Sequence, residues 1–179
     1  MPGPLPGDLA RTLAQKLRDD QFVLFAGAGL SMQAKARDGS DRRMPGWEEF
    51  LAAIGGRLGI DANSFRMDQL NVLDAVQSRH GSPALDAAVR QVLDDDAFEP
   101  GATHAALAGL RWSAGRTTNY DTLLDRCLKA TPAVNDADFA AALRQPRDKR
   151  TTLFKLHGSL REPHKSLHAT TNCTRLQEA

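Results

Sequence analysis

Three short stretches of this 179-residue chain hold the side chains best suited to chemistry: Gly27 to Ser31 (GAGLS), Thr117 to Asp121 (TTNYD) and Lys155 to Ser159 (KLHGS). The first is a glycine turn that ends on a hydroxyl. Gly27 and Gly29 let the backbone turn tightly and come close to a ligand. Ser31 stands where a helix can begin, and N–H groups at a helix start attract anions, so the stretch suits a phosphate-bearing ligand. The second stretch offers the Asn119 amide, which has two donors and an acceptor. The third offers His157, an imidazole that titrates near neutrality and can take up a proton. Each also has a plainer explanation: a structural turn, an Asx-type cap at Asn119, and a hydrogen-bonded histidine at a strand end. Two standard fingerprints fail. G-x-G-x-x-G would need a glycine where Met32 stands, and no Lys-Ser or Lys-Thr pair follows the glycines as a phosphate loop requires.

The elements that must position these stretches are legible from periodicity. Phe22, Val23, Leu24 and Phe25 form an unbroken apolar run, as expected of a strand covered on both faces, and lead straight into the glycine turn. Before them a helix capped by Asp8 and running through Asp20 carries Leu9, Leu13 and Leu17 on one face. Residues 32–44 are polar and predict an exposed, mobile loop that can lie over a bound ligand. Trp47, Phe50, Leu51, Ile54 and Leu58 mark a helix closed by Gly59. Leu70, Leu73 and Val76 predict another, and Ser82-Pro83 opens a third carrying Leu85, Val89 and Leu93. Asp94 to Asp96 read as a solvated turn. Thr103 can cap a short helix with Leu107 and Leu110, with His104 structural or exposed in its first turn. Two further strands are expected, one ahead of Asn119 and one over Leu153, Phe154 and Leu156, the latter ended by His157-Gly158. Leu123, Leu124, Cys127 and Leu128 belong to a helix between them, with Cys127 a small buried apolar residue, and Phe139 and Leu143 to another. Helices alternating with strands predict an α/β fold with a parallel sheet, whose ligands gather beyond the carboxyl ends of the strands. All three polar stretches lie at such ends.

Composition narrows the function classes. The chain is 41% hydrophobic and 25% charged with a net charge of +1, enough for a single globular domain and without a basic footprint for nucleic acid. The charged runs Arg37 to Arg43 and Arg144 to Arg150 read as solvated loops. Cys127 and Cys173 are too few for a disulfide framework or a four-cysteine zinc site, so no metal is expected and a reducing cytoplasmic setting fits. His164 and His168 lack nearby ligand partners. Neither a signal peptide nor a membrane-spanning apolar run is visible, which predicts a soluble protein.

Taken together and in this order, GAGLS, TTNYD and KLHGS resemble the sirtuin superfamily, and most of all the bacterial sirtuin-like domains of antiphage defence proteins. The resemblance covers roughly residues 20–160 of a single domain 1–179, with residues 160–179 an irregular tail. It implies a Rossmann-like parallel sheet flanked by helices, incomplete on its C-terminal side, and NAD as the consumed substrate. Position by position, it implies that Gly27, Ala28, Gly29, Ser31 and Thr118 contact NAD, that Asp121 supports the turn beside it, and that Asn119 and His157 are catalytic. Deacetylating sirtuins are less similar: they carry glutamine where Thr118 stands, a proline-aspartate-phenylalanine-arginine run where this chain reads Arg42 to Trp47, and usually a zinc module. NAD hydrolysis to nicotinamide and ADP-ribose is therefore the expected activity. Deacylation, ADP-ribosyl transfer and a non-catalytic nucleotide-binding remnant are the alternatives. An open sheet edge is expected, covered by a second copy or a partner subunit.

Overall fold

The structure is a computed structural model that describes residues 6–19, 21–61, 70–144 and 151–161. The tail motifs around His164, His168 and Cys173 lie outside the described residues. In chain order the elements are α1 (Gly7–Arg18), β1 (Val23–Ala26), α2 (Ala28–Ser31), β2 (Lys35–Ala36), α3 (Trp47–Leu58), α4 (Leu70–His80), α5 (Ser82–Leu93), a single 3-10 turn (Asp95–Ala97), β3 (Phe98–Glu99), α6 (Ala102–Ala108), β4 (Ala114–Thr117), α7 (Leu123–Leu128), β5 (Thr131–Ala133), α8 (Asp136–Arg144) and β6 (Thr152–Lys155). Four strands form a parallel sheet in the order β1-β4-β6-β5, and β2 pairs antiparallel with β3. This is the expected α/β, Rossmann-like arrangement with helices packed on a parallel sheet. None of the described helices is long and apolar enough to cross a membrane.

Register decides where the polar stretches end up. Ala26 lies opposite Thr117, and Thr117 opposite Lys155, so β1, β4 and β6 stop at one level. In a parallel sheet their carboxyl ends share one rim, and all three turns leave from it.

Two apolar clusters hold the molecule. The larger joins α3, α4 and α5 through Phe50, Ile54, Val72, Val76, Leu85 and Val89, and takes in Met44, Phe98, Tyr120 and Leu123. The smaller packs Leu107 of α6 and Leu124 and Leu128 of α7 against Leu24, Ala26 and Leu153 of the sheet. The sequence calls for β1 to be covered on both faces, and that fails. Leu24 and Ala26 are buried, but Val23 and Phe25 are 50% and 64% exposed. The reason is placement: β1 is an edge strand, and α6 and α7 cover one face only. On the other face Phe25, Arg116 and Phe154 lie in register, and among the described residues Phe139 of α8 caps Phe154 while Phe25 and Arg116 are exposed.

Other local departures have physical causes. The α1 helix begins at Gly7 after Pro6, Asp8 lies in its first turn, and none of its residues is buried. Gly101 precedes α6, with the Gly101 N–H donating to His104 Nδ1 at 3.2 Å, so Thr103 lies inside the helix and Leu110 beyond it. β5 escaped notice because Pro132 argues against a strand, yet at a sheet edge its missing N–H costs nothing. Residues 32–44 are less free than expected. β2 pairs with β3, Arg42 bonds Asp94 at 2.5 Å and lies over the Phe98 ring, and Met44 is fully buried.

Candidate functional site

The glycine turn ends β1 and passes at once into α2, a single helical turn. Neither Gly27 nor Gly29 has positive φ. A Cβ on Gly27 would meet nothing closer than Thr118 Oγ1 at 3.7 Å, and one on Gly29 would stand in open space. The turn itself therefore tolerates side chains at both places. What the two glycines leave is room on the outer side. Gly158, in contrast, needs glycine for its backbone: φ is +96°, the left-handed region that side chains disfavour.

Ser31 closes α2 rather than opening a helix, and it is buried. Its Oγ donates to Asp121 Oδ2 at 2.6 Å and accepts from Asn119 Nδ2 at 2.7 Å. Asn119 Nδ2 also donates to the Gly27 carbonyl at 3.0 Å. Both amide hydrogens of Asn119 are thus spent on the turn, and a carbonyl acceptor at Gly27 fixes which end of the amide is nitrogen. The Asn119 carbonyl oxygen is the group left for a ligand. Asp121 in turn accepts the Leu123 N–H at 3.1 Å, which starts α7. Burial pushes the Asp121 carboxyl above the usual carboxylate value and the negative charge of Asp95 adds to this, while the Ser31 hydrogen bond and the Lys155 charge oppose it.

Beside these groups lies a cavity of about 140 Å³. Pro45, Trp47, Phe50 and Leu93 form its apolar wall, and Ala28, Ser31, Thr118, Asn119 and Asp121 form its polar one, with Tyr120 between them. A space near 150 Å³ suits one benzene-sized ring. Rings continue past it: Trp47 stacks on Phe50 at 5.6 Å, Phe50 meets Tyr120 at 5.8 Å, and Tyr120 meets His157 at 6.3 Å. His157 sits behind Tyr120 and does not line the cavity. It is 8% exposed, and burial lowers its pKa, so the imidazole is neutral at pH 7 and able to accept a proton.

Of the residues singled out in sequence, Ala28, Ser31, Thr118, Asn119 and Asp121 meet at this cavity, Gly27 hydrogen-bonds Asn119, Gly29 faces open space, and His157 stands one ring away. Sequence reasoning missed a buried polar layer beneath them. Lys155 is fully buried and donates to the Tyr120 carbonyl at 3.3 Å, to the Asp121 carbonyl, and to Asp125 Oδ2 at 3.1 Å. Asp95, expected to be solvated, is buried: it accepts Thr122 Oγ1 at 2.5 Å and the Thr122 N–H at 3.2 Å, and it pairs with Arg126 at 3.3 Å. The available signal was alternation, which puts Lys155 on the same strand face as Leu153. His104 is structural, buried, and held neutral by burial. Cys127 is half-buried, and burial pushes its thiol pKa up. Among the described residues no group of three or more His, Cys, Asp or Glu could hold a metal ion.

The segment that carries Asn119 and His157 matches a known family. The SIR2-like domain family matches residues 116–175. Over that segment the chain is similar to SIR2-like domains. It is 28% identical over 160 residues to the NAD(+) hydrolase ThsA of Acinetobacter baumannii (strain 532279), covering 87% of this chain and 31% of that protein. To the NAD(+) hydrolase ThsA of Bacillus cereus (strain MSX-D12) it is 25% identical over 167 residues, covering 88% of this chain and 32% of that protein. The chain thus spans about a third of the length of the curated relatives it matches. The glycine turn lies outside the family match but inside the cavity wall.

Proposed function

We propose that this SIR2-like domain hydrolyses NAD at the nicotinamide–ribose bond, releasing nicotinamide and ADP-ribose, as a cytoplasmic component of bacterial defence. The observation that supports it most is the Asn119 amide, tied down by both its hydrogens so that only its carbonyl can serve a ligand beside a ring-sized cavity. The two NAD(+) hydrolases to which the chain is similar point the same way.

The chemistry asks little of an acid. When the bond breaks, its electrons go to the ring nitrogen and turn a cationic pyridinium into a neutral base, so the leaving group needs no proton, unlike that of an ordinary glycoside. Water then bonds to the ribose carbon and releases one proton. A fixed acceptor that orients the water or a ribose hydroxyl supplies proximity, the role assigned to Asn119. His157, neutral through burial, is the base assigned to the released proton, and because it stands behind Tyr120 the proton reaches it by relay rather than directly from the cavity. The apolar wall from Pro45 to Phe50 receives the departing ring, and the room beside Gly27, Ala28 and Gly29 admits the phosphates.

The test is nicotinamide release from NAD, followed by chromatography at several protein concentrations, which also reports any dependence on self-association. Asn119→Ala and His157→Ala are expected to abolish release with unchanged circular dichroism. Full activity in both variants refutes the assignment.

A further inference from the structure

Lys155 is the least expected side chain in the molecule: a lysine with no exposure, in a sheet strand, directly under the proposed site. Its three acceptors, the carbonyls of Tyr120 and Asp121 and the Asp125 carboxylate, match the three donors of an ammonium. A fully buried cation costs several kcal/mol to desolvate, and replacing such a pair by apolar residues is often neutral for stability. Holding the sheet together does not by itself account for it. The carbonyls it grips flank the residue on which the hydrogen-bond chain from Asn119 through Ser31 terminates.

We propose that Lys155 is a positioning residue for the reaction proposed above: by gripping the Tyr120 and Asp121 carbonyls it keeps the Asp121 carboxylate able to accept the Ser31 hydroxyl, and so fixes the Asn119 amide at the cavity. The charges around Asp121 come from several elements. Lys155 on β6 favours the carboxylate, Asp95 in the 3-10 turn opposes it, and burial opposes it most. His104 on α6 interacts with Asp121 and is held neutral, and Arg126 on α7 is paired with Asp95. Lys155 is therefore the cation set against burial and Asp95. Without it the carboxyl gains a proton at higher pH. Two donors, the Asp121 O–H and the Asn119 N–H, then converge on one hydroxyl oxygen whose own proton has lost its acceptor, and the amide loosens.

The experiment uses the full chain. Lys155→Met alone strands Asp125 and can fail to fold, so the informative variant is Lys155→Met with Asp125→Asn, which removes both charges of the pair. With ¹³C-labelled aspartate, assigned through Asp121→Asn, the Asp121 carboxyl signal is followed against pH. Its midpoint is expected to move to higher pH in the double variant, and the Asn119 side-chain amide signals to shift with it. Nicotinamide release at pH 7 is expected to fall about tenfold to a hundredfold, with the acid limb of the rate profile displaced upward by the same amount as the midpoint. A folded double variant whose Asp121 midpoint is unchanged overturns the proposal, as does one that titrates differently while the Asn119 signals stay fixed. The carboxyl titration needs no turnover, so wild-type protein that releases no nicotinamide would sink the proposed activity while leaving this inference decided separately.

Discussion

Replacing Ser31 by alanine separates two roles for the glycine turn's hydroxyl. As a phosphate ligand, Ser31 would contribute to binding alone. Its geometry instead commits its single proton to Asp121 at 2.6 Å and a lone pair to Asn119 at 2.7 Å, with the residue buried. Deleting the hydroxyl removes one bond to a charged group, about 1.5–3 kcal/mol, and one neutral bond, about 0.5–1.5 kcal/mol. Because the Asp121 carboxyl can take up a proton, the combined loss should be about 2–3 kcal/mol, which lowers the melting temperature by roughly 8 °C in a domain of this size. The loss depends on pH. Ser31 lowers the pKa of Asp121, so in the variant that pKa rises further above its unfolded value. A group whose pKa is raised by folding contributes stability that is full below the unfolded value and is lost as pH rises through the folded one. The variant should therefore differ less from wild type in mild acid than at pH 8. On activity, an amide held by one hydrogen bond in place of two should lower kcat about tenfold or more with little change in KM. Thermal unfolding at both pH values, with initial rates of nicotinamide release, checks this. Unchanged stability together with a raised KM and wild-type kcat would refute the positioning role and return Ser31 to the phosphate.

Gly101→Ala would place a Cβ 2.0 Å from the Gln33 carbonyl oxygen, so backbone must move; denaturant titration should show a loss of about 3 kcal/mol or no folded protein. Gly29→Ala has open space and should keep its stability while weakening NAD binding, measured by calorimetry. His104 and His157 both have pKa values lowered by burial, so their contribution to stability is complete above their ordinary value of about 6.5 and is lost as pH falls through the folded values. Urea midpoints should therefore decline as pH is lowered from 7 to 5. Arg42→Ala breaks an ion pair that is about half exposed on both sides, and should cost less than about 1 kcal/mol in the same titration.

What could be read in advance was what periodicity and turn chemistry encode. The run from Phe22 to Phe25, the Ser82-Pro83 start and the Gly59 stop each specify local structure, and the elements formed where expected. The rim was legible because three polar turns each follow a strand, and parallel strands carry such turns to one side. Information that depends on neighbours was not legible. Phe25 looks like a core residue, yet its exposure is set by strand order, which places β1 at an edge. Asp95 looks solvated until Thr122 and Arg126 are brought to it from 27 and 31 residues away. Lys155 reads as a charge at a strand end, because its acceptors are more than 29 residues distant in the chain.

The site lies between the larger apolar cluster and the polar rim of the sheet, and this explains its division of labour. The helical cluster of α3 to α5 provides Trp47, Phe50 and Leu93, which line the cavity with rings and methyl groups. The sheet rim provides Ser31, Asn119 and Asp121. Neither surface alone encloses a ring while offering an oriented acceptor. Tyr120 belongs to both: its neighbour Asn119 is tied to the rim, its carbonyl accepts from Lys155 and Leu160, and its ring packs on Phe50. The buried charges Asp95, Asp121, Asp125 and Lys155 lie along the same seam. Charged groups cannot be repacked freely as apolar ones can, because each has specific partners to satisfy. They set the register of the helical layer on the sheet to within a hydrogen bond, where apolar packing alone would permit sliding. A cavity whose two walls come from different layers keeps its shape only under such a constraint. The polar layer beneath the rim is therefore as much a part of the site as the residues that line it.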